Sequence, residues 1–195
     1  SEQLLLLLFA GYETTASALS CLMRESLLNP QIETWLREEI DTLDWPPTPE
    51  QATMIYCPAN APRLDALVKE VMRFTPPVGG FFRRTKQSLV LDDIVVPNNR
   101  VVQVALMASN RHGTGDLDIF RPQRHLESES SLSLMPFGGG ERVCLGKSLA
   151  ELEIRLMVVG IFSKFQLEVI PDQDFSLRQI PSPSPRDGLL VKIKE

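Results

Sequence analysis

Pro136-Phe137-Gly138-Gly139-Gly140-Glu141-Arg142-Val143-Cys144-Leu145-Gly146 sets one cysteine at the end of a glycine-rich loop. Behind it, Leu145, Leu149, Leu152, Leu156 and Val159 recur at helical spacing, which predicts an amphipathic helix buried along that stripe. A cysteine at the mouth of a helix faces unpaired backbone N–H groups and the positive end of the helix dipole, an environment that favours its thiolate. Gly138, Gly139 and Gly140 let backbone approach something flat or bulky, and Arg142 offers a fork to a carboxylate.

Several chemistries compete for that pattern. Most lone cysteines are small buried hydrophobes. Glycine-rich loops before helices often hold phosphate, but this one has neither the G-x-G-x-x-G nor the Walker spacing. Zinc would need paired ligands, and Cys21, Cys57, His112 and His125 show no such spacing. A nucleophilic cysteine would need a base, which the sequence does not set near Cys144. A thiolate, a bare backbone platform and an anion clamp are what a haem iron with its propionates requires. The chemistry alone ranks haem first and leaves the others open.

The segment resembles the cysteine-ligand signature of the cytochrome P-450 superfamily, F-x-x-G-x-R-x-C-x-G, at Phe137, Gly140, Arg142, Cys144 and Gly146. The resemblance implies haem b as cofactor, Cys144 as the axial thiolate, Arg142 on a haem propionate, and Phe137 beside the sulfur. Gly138 and Gly146 would belong to the same cofactor-binding loop.

Composition fits a folded chain of mixed use. The 195 residues are 43% hydrophobic, enough for a core. A net charge of −5 argues against a general nucleic-acid binder. Three cysteines without regular spacing suggest a reducing compartment and no disulfide framework. The apolar run from Leu4 to Ala10 is far shorter than the about 20 residues of a membrane span, and it lacks the flanks of a secretory signal. The sequence opens at Ser1, already inside a helical pattern, which reads as one part of a longer protein.

Along the chain, a first helix is expected to Leu28, stopped by Asn29-Pro30, and a second from Gln31 toward Leu43 with Glu33 and Arg37 paired on its wet face. Trp45 to Pro49 reads as a stiff linker, and Thr48-Pro49-Glu50-Gln51 as the start of a short helix. Pro62 suits the first turn of a helix carrying Leu64, Leu67, Val68, Val71 and Phe74. Strands are expected at Leu89–Leu91, Ile94–Val96 and 101–106, the last two joined by a Pro97–Arg100 turn, then at 166–170 and 189–193. The stretch 109–134 reads as polar and irregular. The expected class is mainly α (α+β), helix-rich with small sheets, with residues 1–195 forming the C-terminal, haem-ligating part of a cytochrome P-450 domain.

Three further segments gain meaning from the resemblance. Glu70 and Arg73, three apart on one helix, are by themselves an ordinary pair worth a few tenths of a kcal/mol. Their order before the cysteine loop is similar to the family's E-x-x-R, and Arg124 matches the third, structural partner. Gln123 and His125 depart from the family's P-E-R-F. In Ala10-Gly11-Tyr12-Glu13-Thr14-Thr15 the residues alone favour a kinked helix, with the Thr14 hydroxyl bonded one turn back. The segment also resembles the family's oxygen groove, A-G-x-[DE]-T-T. That implies Thr14 as a hydrogen-bond donor to dioxygen, Glu13 in a proton relay, and Ala10 and Gly11 beside the substrate. Val78, Gly79, Gly80 and Phe81 would line the pocket, and Arg83 would be a second propionate clamp. Pro-Pro-Val-Gly-Gly together with 181–188 resembles the branch that includes retinoid and sterol-type hydroxylases. The implied partners are an electron donor (ferredoxin or flavoprotein reductase), an apolar small-molecule substrate and a complementary N-terminal half. The rival reading is a non-catalytic relic or split-gene half that acts as a structural or haem-binding partner.

Overall fold

In the computed structural model, which describes residues 2–112, 116–127 and 134–194, the apolar periodicities become one helical core. Helix α1 (Glu2–Leu28) changes character along its length. Its second half buries Ala18, Cys21, Leu22 and Leu27, while Leu4 to Phe9 and Tyr12 stand exposed. The helix is long and apolar enough to cross a bilayer by length and composition, but its buried second half belongs to the core. Helix α2 (Pro30–Ile40) starts on Pro30 and adds Ile32, Leu36 and Ile40. Helix α3 (Pro49–Tyr56) carries the expected start as a full capping box, Thr48 and Gln51 each satisfying the other's backbone N–H. Helix α4 (Pro62–Phe74) contributes Leu64, Leu67, Val68 and Val71.

The first turn of α4 has no cap of its own, because Ala61 precedes it. The Glu39 carboxylate on α2 supplies one instead, accepting the Arg63 and Leu64 backbone N–H groups at 2.8 Å each. Two readings of this region need correction. Arg37 does pair with Glu33 at 2.8 Å, but the pair does not lie on a merely wet face. Arg37 also donates to the Phe162 and Phe165 carbonyls at 2.6 and 3.0 Å, stitching α2 to the end of the last helix. Trp45 is no free spacer either. It packs so closely on Gly160 that a Cβ there would stand 2.5 Å from the indole ring.

The strands form two-stranded antiparallel sheets whose pairing differs from the expected one. Strand β2 (Leu89–Leu91) pairs with β3 (Ile94–Val96) through the tight turn at Asp92 and Asp93, and β4 (Val101–Val104) pairs with β1 (Phe81–Arg84). Pro97–Arg100 therefore links two sheets rather than turning a hairpin. Thr85 organises that link, its hydroxyl donating to the Pro97 carbonyl at 2.8 Å and accepting the Arg100 N–H at 2.9 Å. A short helix α5 (Leu106–Ser109) takes over the end of the strand expected at 101–106, and a 3-10 turn (Pro122–Leu126) lies within the stretch read as irregular, of which 113–115 and 128–133 fall outside the described residues.

Helix α6 (Lys147–Lys164) follows the cysteine loop as expected, but the expected stripe is buried only toward its end, at Val159, with Leu152 and Leu156 half-buried. Ile154, Arg155, Val158, Val159 and Phe162 are buried, whereas Leu145 is 92% and Leu149 61% exposed. The leucines nearest the cysteine thus point out of this core. Strands β5 (Gln166–Val169) and β8 (Val191–Lys194) close the chain, with β6 (Leu177–Arg178) and β7 (Ser184–Pro185) as a small ribbon between them. The ribbon is tied to α1, because Ser17 donates its hydroxyl to the Pro183 carbonyl at 2.6 Å.

Candidate haem-thiolate site

Cys144 lies exposed between a 3-10 turn (Gly140–Arg142) and α6. The loop is shaped by Gly138 and Gly140, at φ of 73° and 66°, a region that side chains resist. Two backbone bonds fix the cysteine. Its N–H donates to the Phe137 carbonyl at 3.0 Å, and its carbonyl accepts the Lys147 N–H at 3.3 Å, opening α6. Cys21 is buried under α1 and Cys57 ends α3, so among the three thiols Cys144 alone sits on a glycine loop at a helix start. Burial pushes the Cys21 thiol up to about 11, which removes it as a ready thiolate.

Arg142 is exposed and makes no side-chain hydrogen bond or ion pair among the described residues. Arg83, on β1, stands over the Phe81 ring at 4.3 Å and, among the described residues, donates only to the neighbouring Phe82 carbonyl at 2.9 Å. Phe81 in turn reaches the loop, since a Cβ on Gly138 would lie 3.8 Å from its ring. The structure therefore brings Phe81, Arg83 and the cysteine loop to one face, with two guanidinium groups that no acid among the described residues neutralises. An exposed thiol, an open glycine backbone and unspent arginines fit a flat dianionic cofactor bound through its metal.

Gly80 has a packing role of its own. A Cβ there would stand 2.6 Å from the Val104 carbonyl oxygen, so the glycine lets β1 close on β4. Val78 is 44% exposed and Gly79 is open beside it. On α1, Ala10 and Gly11 are exposed and Glu13 and Thr14 half-buried. The Thr14 hydroxyl donates to the Ala10 carbonyl at 2.7 Å, the back-bonded geometry that the residues alone favoured. It can still accept a hydrogen bond there, but must leave Ala10 to donate one.

Glu70 shows the opposite condition. Fully buried, it accepts from Arg73 Nε and Nη2 at 2.8 Å each, from Arg124 Nε at 3.1 Å, from the Arg121 backbone N–H at 2.8 Å, and bonds His125 Nε2 at 2.8 Å. Burial alone would raise its pKa, but these partners, Arg73 first, hold it at about 2. Arg73 also binds the Leu117 and Ile119 carbonyls at 2.8 and 3.2 Å, and Arg124 those of Asp116 and Ile119 at 3.0 and 2.9 Å. The three residues expected to act together do so, pinning the segment that leads toward the cysteine loop. His125, which broke the family pattern, joins the hub. A histidine flanking the third arginine was the available signal, but only the fold shows that it faces Glu70.

The comparisons with known proteins assign this fold and its cysteine loop to one family. The family model for Cytochrome P450 matches residues 1–194, so the chain belongs to that family, whose members bind haem b and include monooxygenases. It is 35% identical over 203 residues to "Putative cytochrome P450 120" of Synechocystis sp., covering 98% of this chain and 44% of that protein. It is 33% identical over 199 residues to "Cytochrome P450 26B1" of Mus musculus, covering 95% of this chain and 38% of the relative. Among solved structures, "Retinoic acid bound cyanobacterial CYP120A1" superposes with a TM-score of 0.85 at 33% identity, over 97% of this chain and 44% of that one. A second, CYP102L1, gives 0.86 at 27% identity over 99% and 45%. The chain spans less than half the length of these relatives.

Proposed function

We propose that this chain is the haem-ligating portion of a monooxygenase that inserts one oxygen atom of dioxygen into an elongated apolar substrate of retinoid type. Electrons would come from a ferredoxin or a flavoprotein reductase. The observation that carries the reading is Cys144, exposed at a helix start beside Arg142, whose charge nothing in the described chain neutralises. Bound haem would supply the redox and oxygen chemistry, with its iron on the Cys144 sulfur.

The remaining roles belong to this chain's own side chains. Arg142 and Arg83 would hold the two propionates, and Phe137 would shield the sulfur from water, with Gly138 and Gly146 keeping the loop open. Thr14 and Glu13 would hold and pass protons on α1, the hydroxyl exchanging its bond to Ala10 for one to the reacting oxygen. Ala10, Gly11, Val78, Gly79, Gly80 and Phe81 would form the apolar wall against the substrate. The retinoid assignment rests on likeness to a structure that holds retinoic acid.

One observation favours the rival reading, a half that works only with a complementary chain. Leu4 to Phe9, Leu145 and Leu149 leave a long apolar face exposed. One experiment separates the two. The chain is reconstituted with haem, reduced, and its carbon-monoxide difference spectrum recorded. A strongly red-shifted Soret band, lost in Cys144→Ser, is expected if the thiolate site is complete here. No bound haem, or an unshifted band, would overturn a self-sufficient site.

A further inference from the structure

The bonds that converge on and around Glu70 do not all hold the same stretch of chain. Arg73, from α4, reaches the carbonyls of Asn110, Leu117 and Ile119 at 3.3, 2.8 and 3.2 Å. Arg124 turns back to the carbonyls of Asp116 and Ile119 and to the Asp116 carboxylate. The Arg121 backbone N–H, at the entry of the Pro122–Leu126 turn, meets Glu70 Oε1 at 2.8 Å. All of these fasten the chain as it arrives. His125 stands near the other end of that turn, its side chain 6% exposed, with Nε2 2.8 Å from Glu70 Oε2. Beyond it and before Leu134, the one ion pair among the described residues is that of Glu127 with Arg121. That pair is partly exposed and closes the turn on itself without touching α4.

Glu70 stays ionised far below the usual carboxylate range, at about 2, so its oxygens only accept. The proton of the contact therefore sits on Nε2, and the imidazole is the donor. The phenylalanine of the P-E-R-F pattern could fill this space but not make the bond. We propose that His125 is a positioning residue for the cysteine loop: its bond to Glu70 fixes the point from which the chain leaves the hub toward Pro136–Gly146. The loop begins close by, since His125 and Phe137 line one hollow against α4. The Phe137 carbonyl in turn accepts the Cys144 N–H at 3.0 Å. An exit held at His125 thus limits where Phe137, and with it Cys144, can settle. Losing the donor loosens the loop and leaves the arriving chain in place.

Amide hydrogen exchange, followed by NMR on the chain without haem, tests this. The loop is reported by the N–H groups of Gly138, bonded to the Met135 carbonyl at 2.8 Å, and of Cys144. The arriving side is reported by those of Ile119, on the Asp116 carbonyl at 3.1 Å, and of Arg121 on Glu70. In His125→Phe the two loop amides should exchange about tenfold faster, the loss of one bond to a charged acceptor, while Ile119 and Arg121 stay within about twofold. His125→Gln, which offers a side-chain N–H at similar reach, should bring the loop back toward the parent rate. Equal acceleration on both sides would make His125 an ordinary member of the hub and overturn the proposal. So would an unchanged loop in His125→Phe, failure of that variant to fold, or a glutamine variant as fast as the phenylalanine one. The inference takes from the reading above only what the loop grips. Exchange is measured without haem, so either can fail alone.

Discussion

Two clusters of arginine in this molecule live under opposite rules. At the Glu70 hub, Arg73 and Arg124 are buried at 0% and 4% exposure, and their donors meet a carboxylate and a ring of backbone carbonyls. At the cysteine loop, Arg142 and Arg83 are exposed and meet no acid among the described residues. Burying a guanidinium is tolerable only when its hydrogen bonds are complete, so the hub is finished by the chain itself. The loop's arginines stay solvated, as the proposed grip on two propionates would require. Completeness marks what holds the fold, and unspent charge marks what the fold is for.

Breaking the hub should have the largest effect. Glu70→Ala strands two buried arginines and is expected to cost about 3–5 kcal/mol, read from the urea midpoint, or to prevent folding. A loss under about 1 kcal/mol would mean that the hub is no better than a surface pair. The same group sets an acid limit. Its pKa of about 2 lies below the ordinary 4.5, so its contribution is whole above pH 4.5 and is lost as pH falls toward 2. Acid unfolding followed by circular dichroism should steepen in that window, and Glu70→Gln should remove the dependence.

A packing probe comes next. Gly160→Ala drives a methyl into the Trp45 ring and should cost about 1–3 kcal/mol, measured by thermal melting. At the open end the scale drops. Cys144→Ser and Arg142→Ala should each leave stability within about 0.5 kcal/mol. Yet Cys144→Ser should erase the thiolate Soret band, and Arg142→Ala should weaken haem retention in a gel-filtration assay. A destabilisation by either as large as that of Gly160→Ala would erase the contrast between the two regions.

The sequence made the helices legible because their signals are local. Pro30 and Pro62 open helices, Thr48 and Gln51 form a box, and a five-position signature fixes the cysteine loop. Failures came where a partner decides. Phe81–Arg84 is not among the expected strands and becomes one by pairing with β4, and Pro97–Arg100 looks like a hairpin turn until Thr85 binds it from just beyond β1. The stripe on α6 joins this core only toward its C-terminal end, at Leu156 and Val159. Apolar spacing reports that Leu145 and Leu149 avoid water, and is silent on which surface covers them. His125 was visible as an exception, but its bond to Glu70 spans fifty-five positions and has no local signature.

The carboxylate that α2 lends to the start of α4 carries a consequence for how the chain acquires its shape. A helix whose opening turn is capped by its own residues can form before it docks, whereas α4 must wait for Glu39. The amides of Arg63 and Leu64 should then exchange with solvent in step with α2 rather than with the middle of α4. The two helices behave as one cooperative unit, and losing the grip of either releases both.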